Sequence, residues 1–83
     1  MNDEGGMEIT LIAFGPLAEA LDWKRHQLTL QGQHNVGRVL QILELSEWNA
    51  KGLITALNGI QCTLDTELKD GDELALLPPV SGG

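Results

Sequence analysis

Apolar residues alternate through residues 7–14. Met7, Ile9, Leu11 and Ala13 fall on one side, and Glu8, Thr10, Ile12 and Phe14 on the other, the period of a strand with one face on a core. The far end of the second set, Ile12 and Phe14, is apolar too. Gly15-Pro16 breaks the pattern, and residues 17–21 (Leu-Ala-Glu-Ala-Leu) are good helix formers, enough for one or two turns. Period two resumes over residues 25–31 with Leu28 and Leu30 on one face, predicting a hairpin-like pair with a long connection. After the Gly32-Gln33-His34 loop, Asn35 is placed to cap a helix whose stripe is Val36, Val39, Leu40 and Leu43, about ten residues long. Gly37 and Arg38 weaken its first turn, one by backbone entropy and the other against the helix dipole, so packing of the stripe must hold it.

Residues 46–52 read as a loop in which Trp48 is a partly buried anchor, and Trp23 has the same reading. Asn58-Gly59, between residues 53–57 and 60–62, satisfies a type I′ turn and predicts a second hairpin. Residues 63–69 are irregular, with Leu64 and Leu68 as core plugs. Asp70-Gly71 is turn chemistry leading into a strand over residues 73–77, and Pro78-Pro79, lacking N–H groups, ends its ladder. On that last strand Leu74 and Leu76 face the helix and Ala75 and Leu77 face outward. With the outward Ile12 and Phe14 of a neighbouring strand they would form an apolar patch suited to a partner. The order ββαβββ, with one main helix packed on one face of a mixed sheet, is an α+β layout.

Residues 1–6 are polar and glycine-ended, a disordered lead-in; residues 7–78 form one domain; residues 79–83 are a flexible tail reaching at most about 17 Å. A chain of 83 residues is small for a buried catalytic cleft. Apolar residues are 42% and the net charge is −7, from twelve acids and five bases. That balance fits a folded soluble domain, disfavours nucleic acid and favours a partner with a basic docking surface. No apolar run approaches a membrane span, and the acidic start lacks the basic region of a signal peptide, so a cytoplasmic protein with no membrane contact is expected. Cys62 is single and reads as a small strand hydrophobe in a reducing compartment. His26 and His34 have no partners at metal-ligand spacing, and no phosphate loop or nucleophile elbow occurs, so no metal and no enzyme site is expected. Asp65, Glu67, Asp70, Asp72 and Glu73 read as turn formers and a solvated face whose position beside the tail root suggests electrostatic steering.

The chain ends in Gly82-Gly83. Two glycines place no Cβ beside the α-carboxylate, so the end can thread a channel too narrow for other residue pairs. The stretch from Asp70-Gly-Asp-Glu-x-Ala through Pro78-Pro-Val-Ser-Gly-Gly83 resembles the C-terminus of the MoaD-type small, sulfur-carrying subunit of molybdopterin synthase, in the MoaD/ThiS ubiquitin-like family. A weaker resemblance runs back to Met7. It implies a β-grasp fold with the first and last strands adjacent and parallel, and a sulfur carrier that is not catalytic alone. It also implies an E1-like adenylyltransferase that transfers AMP from ATP to Gly83, a persulfide donor whose sulfur displaces AMP, and a large subunit that receives the sulfur from the Gly83 thiocarboxylate. Pro79, Val80, Ser81 and Gly82 are then the threading segment. Ile12, Phe14, Ala75 and Leu77 are the docking patch, with Leu77 where the family commonly has a larger aromatic. No cofactor is bound by the carrier itself. A ubiquitin-like modifier of archaeal or ubiquitin-related type, joined through the same tail to lysines, is the alternative; a thiamine-type carrier, a family without the Pro-Pro pair, and an interaction domain with an idle tail are further ones.

Overall fold

The structure, a computed structural model, describes residues 6–79. The expectations for residues 1–5 and for Val80, Ser81, Gly82 and Gly83 lie outside them. The order is β1 (Gly6–Ala13), α1 (Gly15–Leu21), β2 (Arg25–Gln31), α2 (Val36–Ile42), α3 (Ser46–Ala50), β3 (Ile54–Leu57), β4 (Ile60–Cys62) and β5 (Glu73–Leu77). Gly6, read as the end of the lead-in, is already in β1 opposite Gln31.

The strands make one mixed sheet in the order β2-β1-β5-β3-β4. β1 is antiparallel to β2 and parallel to β5, while β3 is antiparallel to both β5 and β4. This is the β-grasp arrangement, with the last strand in the middle of the sheet. Alternation in β1 resolves as expected: Met7, Ile9, Leu11 and Ala13 are buried. Leu74 and Leu76 of β5 join them with no exposed surface, against Leu17 and Ala18 of α1, Val36, Val39 and Leu40 of α2, and Leu30, Leu45 and Leu68. Trp23 and Trp48 are half-buried against this core, as expected of anchors. Asn58 and Gly59 both have positive φ, 51° and 87°, the type I′ requirement.

Three expectations change. The α2 helix spans seven residues, because Glu44 adopts a left-handed φ of 61° and closes the end: Glu44 N–H donates to Gln41 O at 3.0 Å and Leu45 N–H to Leu40 O at 2.8 Å. That is the Schellman closure, with a glutamate where glycine is usual. Residues 46–50 then start a short helix instead of a loop. Leu64 is 39% exposed, so it is not a core plug, whereas Leu68 is.

The role of residues 63–67 is instead to cap α2. Val36 N–H donates to Thr66 O at 3.0 Å, Gly37 N–H to Leu64 O at 2.9 Å, and Arg38 N–H to the Asn35 side chain at 2.8 Å. Three donors that a helix leaves unpaired at its start are thereby satisfied, two of them by a distant loop. The glycine at 37 also acquires a reason, since a Cβ there would lie 3.4 Å from both Leu64 Cβ and Leu64 O. Asn35→Ala should lower stability by about 1 kcal/mol. Gly37→Ala should fall short of the gain of about 1 kcal/mol that alanine brings inside an unobstructed helix. Urea denaturation measures both; a full gain at position 37 would show that Leu64 yields freely.

Candidate functional site

The helices cover one face of the sheet and leave the other open. On the open face the registers align Ile12 of β1 with Ala75 of β5, and Ala75 with Ala56 of β3. The next row pairs Leu77 with Ile54. Phe14 continues β1 by one residue, with extended backbone (φ −123°, ψ 150°) and a side chain 45% exposed. Ile12, Ala75, Leu77, Ile54 and Ala56 are half-buried. Directly opposed side chains on a sheet lie within about 5.5 Å of one another, so these residues form one continuous apolar surface.

The four residues expected of this patch thus meet on one face, though only Phe14 is freely exposed. Ile54 and Ala56 were missed. Their signal was the alternation within residues 53–57, which could not be assigned to a face until β3 was known to pair with β5. The patch occupies one end of the open face. Toward the other end the surface turns polar, with Gln27, Thr10 and Glu73 in one row, and Arg25 stands opposite Ile12 at the edge. Beside Phe14 runs a groove of about 720 Å³ that also touches Trp23, Glu19 and Lys24. A larger concavity, about 930 Å³, lies around His34, Arg38 and Glu67 near the start of α2 and shares no residue with the patch.

The chain leaves the patch through Pro78 and Pro79. Both are half-buried, so Pro79, expected to begin the free tail, still touches the domain. A Cβ built on Gly15 would lie 3.8 Å from Pro78 Cγ, and one on Gly52 would lie 3.5 Å from Pro79 Cβ.

The acids take a different place from the one expected. Asp70, Asp72 and Glu73 lie at the start of β5, about 13 Å along the strand from Leu77 and not beside the tail root, whereas Asp65 and Glu67 lie near the start of α2. Asp70 and Asp72 serve as hydrogen-bond acceptors that fix the turn and its neighbours. Asp70 Oδ1 accepts from Glu8 N–H at 2.8 Å, Asp72 Oδ2 from Lys69 N–H at 2.8 Å, and Asp72 Oδ1 from Asn58 Nδ2 at 3.0 Å. Cys62 is half-buried on the helix side, its Sγ 3.5 Å from Thr55 Oγ1. His26 stacks on Trp23 with ring centroids 5.1 Å apart, and His34 Nδ1 lies 3.4 Å from Gly32 O. Among the described residues no group of three His, Cys, Asp or Glu side chains could hold a metal ion, and no helix is long and apolar enough to cross a membrane.

The sequence pattern of the ThiS family matches residues 11–83, nearly the whole chain. The chain belongs to the ThiS family. As a ThiS-family, ubiquitin-like domain it is similar to the Haloferax volcanii HVO 2177 protein, with 27% identity, TM-score 0.82, and 100% of this chain and 92% of that one covered. It is similar at 31% identity and TM-score 0.68 to the small archaeal modifier protein 1 of Methanosarcina acetivorans, covering 94% of this chain and 98% of that one. It is also similar, at 32% identity and TM-score 0.65, to a chain in the complex of subunits 1 and 2 of the Helicobacter pylori molybdopterin-converting factor, covering 93% and 100%. A small archaeal modifier and a chain of a molybdopterin-converting factor therefore share this fold.

The two sides of β5 make a stability test of the site. Leu76→Ala should cost about 2–5 kcal/mol as a fully buried truncation, and Leu77→Ala less than half as much. Denaturant melts decide; equal losses would place Leu77 in the core and remove it from the docking surface.

Proposed function

We propose that this chain is a sulfur carrier, the small subunit of a molybdopterin synthase, which delivers sulfur from Gly83 to a pterin precursor during molybdenum cofactor biosynthesis. The observation that carries this reading is the apolar end of the open face, Ile12, Phe14, Ala75 and Leu77 with Ile54 and Ala56, lying where the chain runs on into Val80-Ser81-Gly82-Gly83. A partner that covers this surface receives the chain end at the same time. The likeness to a chain of a two-subunit molybdopterin-converting factor supports a large subunit as that partner.

A chain that stops at Gly83 presents a carboxylate, which resists nucleophiles because it is charged and has no good leaving group. An E1-like adenylyltransferase removes both obstacles: the carboxylate takes AMP from ATP, and pyrophosphate leaves. A persulfide sulfur from a sulfurtransferase donor then attacks the Gly83 carbonyl and displaces AMP, and a thiol reduces the resulting acyl disulfide to the thiocarboxylate. One hard substitution becomes two easier ones, as in other covalent relays. The carrier contributes the reacting group at Gly83, the threading segment Val80, Ser81 and Gly82, and the docking face. It binds no cofactor, since ATP belongs to the partner, and it works in the cytoplasm.

The second reading is a protein modifier, favoured by a likeness to the Methanosarcina small archaeal modifier nearly equal to that for the molybdopterin-converting factor. There a lysine amine displaces AMP and leaves an isopeptide bond. A thiamine-type carrier would use the same thiocarboxylate, and the Pro78-Pro79 pair argues against it.

Incubation with ATP, an active E1-like enzyme and a persulfide donor should replace one oxygen by sulfur, read by intact mass; an unchanged mass overturns the carrier reading. Lysine-linked conjugates recovered from the host, with no large subunit co-purifying, would select the modifier. Phe14→Asp should weaken large-subunit binding at least tenfold while shifting stability by no more than about 0.5 kcal/mol, as exposed positions usually do. Gly82→Ala should impair activation or delivery with the melting temperature unchanged, and full activity of that variant would exclude a channel fitted to glycine.

A further inference from the structure

The geometry points to a clamp at the root of the chain end. Pro78 and Pro79, set beside Gly15 and Gly52, are positioning residues that fix the direction in which the chain continues past β5. This rests on the proposed activation of Gly83.

The parallel register Ala13↔Leu76, carried two residues further, sets Pro78 opposite Gly15. The antiparallel register Ile54↔Leu77, carried two residues further, sets Pro79 opposite Gly52. The close approaches occur at these two pairs, 3.8 Å and 3.5 Å for a Cβ built on each glycine. The path of β5 therefore continues two residues beyond its last ladder bond. Hydrogen bonding stops because the prolines have no N–H to donate, but both rings stay beside the neighbouring segments and half-buried.

The glycines serve this contact by conformation and not by lack of bulk. At both, an added Cβ would make only ordinary contact, but φ is +54° at Gly15 and +102° at Gly52, where other residues are strained. Gly15 turns the chain from β1 into α1, and Gly52 turns it from α3 toward β3, so each bend brings its segment against one proline. With φ fixed in the two prolines as well, the direction of the chain at Pro79 is set before any partner binds. Fewer backbone residues then remain for a partner to order. Each backbone residue already held is worth about fivefold or more in affinity.

The test compares the full chain with its Pro78→Ala/Pro79→Ala variant, which keeps the length and removes the rings and the φ restraint. In ATP–pyrophosphate exchange with an E1-like enzyme, the variant should raise the apparent KM for the carrier about fivefold or more, with a smaller fall in kcat. Its melting temperature should stay within about 4 °C of the unaltered chain. An unchanged KM, or a loss of kcat and melting temperature in step with KM, would overturn the clamp. A second measurement needs no enzyme: α-carbon relaxation at Pro79 should match that of β5 in the free protein, and motion like that of an unrestrained terminus would also overturn it. If the unaltered chain shows no exchange at all, the activation reading fails, and the relaxation at Pro79 still decides the clamp.

Discussion

The parallel pairing of β1 with β5 is the constraint on which the rest of the molecule depends. It joins Thr10–Ala13 to Glu73–Leu76, near the two ends of the chain, and nearly everything else must fit into the connection between them. Parallel neighbours need such a crossover, and its closure entropy is offset only when the faces it brings together are buried. Leu11 and Leu74, then Ala13 and Leu76, lie side by side at the centre of the core. Because the strands run the same way, both end at one edge of the sheet. Phe14 and the root of the tail therefore share one side of the molecule, and the position of the apolar patch beside the chain's exit follows from a single topological choice.

The connection solves a second problem, that of unpaired backbone. The α2 helix starts poorly by its own sequence, and the irregular residues 63–67 supply carbonyls to its first N–H groups while Asn35 supplies a side-chain oxygen. Asp72 acts similarly on the turn before β5 by accepting from Lys69 N–H, and Asp70 ties that turn to β1 by accepting from Glu8 N–H. Much of the acidic character that could be mistaken for a carboxylate site is thus turn chemistry. It stands at the opposite end of β5 from the tail root.

A domain this small can take part in acyl activation because it need not build a cleft. The proposed chemistry sits on a chain end, and a partner supplies the pocket, the nucleotide and the nucleophile. What the domain must supply is a covered sheet that is rigid up to Leu77, and an open face apolar only around the exit. The row Gln27, Thr10 and Glu73 ends the apolar surface, which is thereby confined to the exit side of the sheet.

The sequence by itself determined the five strands, α1, the start of α2 and much of the apolar patch, but not α3. Period-two alternation placed β1, β2 and β5 and sorted Leu74 and Leu76 from Ala75 and Leu77, Asn58-Gly59 specified its turn, and the Pro-Pro and Gly-Gly pairs marked the end. These features are local, because strand parity, φ preference and a missing N–H act within a few residues. Only the tertiary structure decided that Ile54 and Ala56 complete the patch, that Leu64 lies outside the core and caps α2, that the acids are remote from the exit, and that Pro78 and Pro79 lie against Gly15 and Gly52. Each of these depends on register between segments far apart in the chain. Register is set by the summed burial of a whole face, a quantity that no single stretch of residues carries.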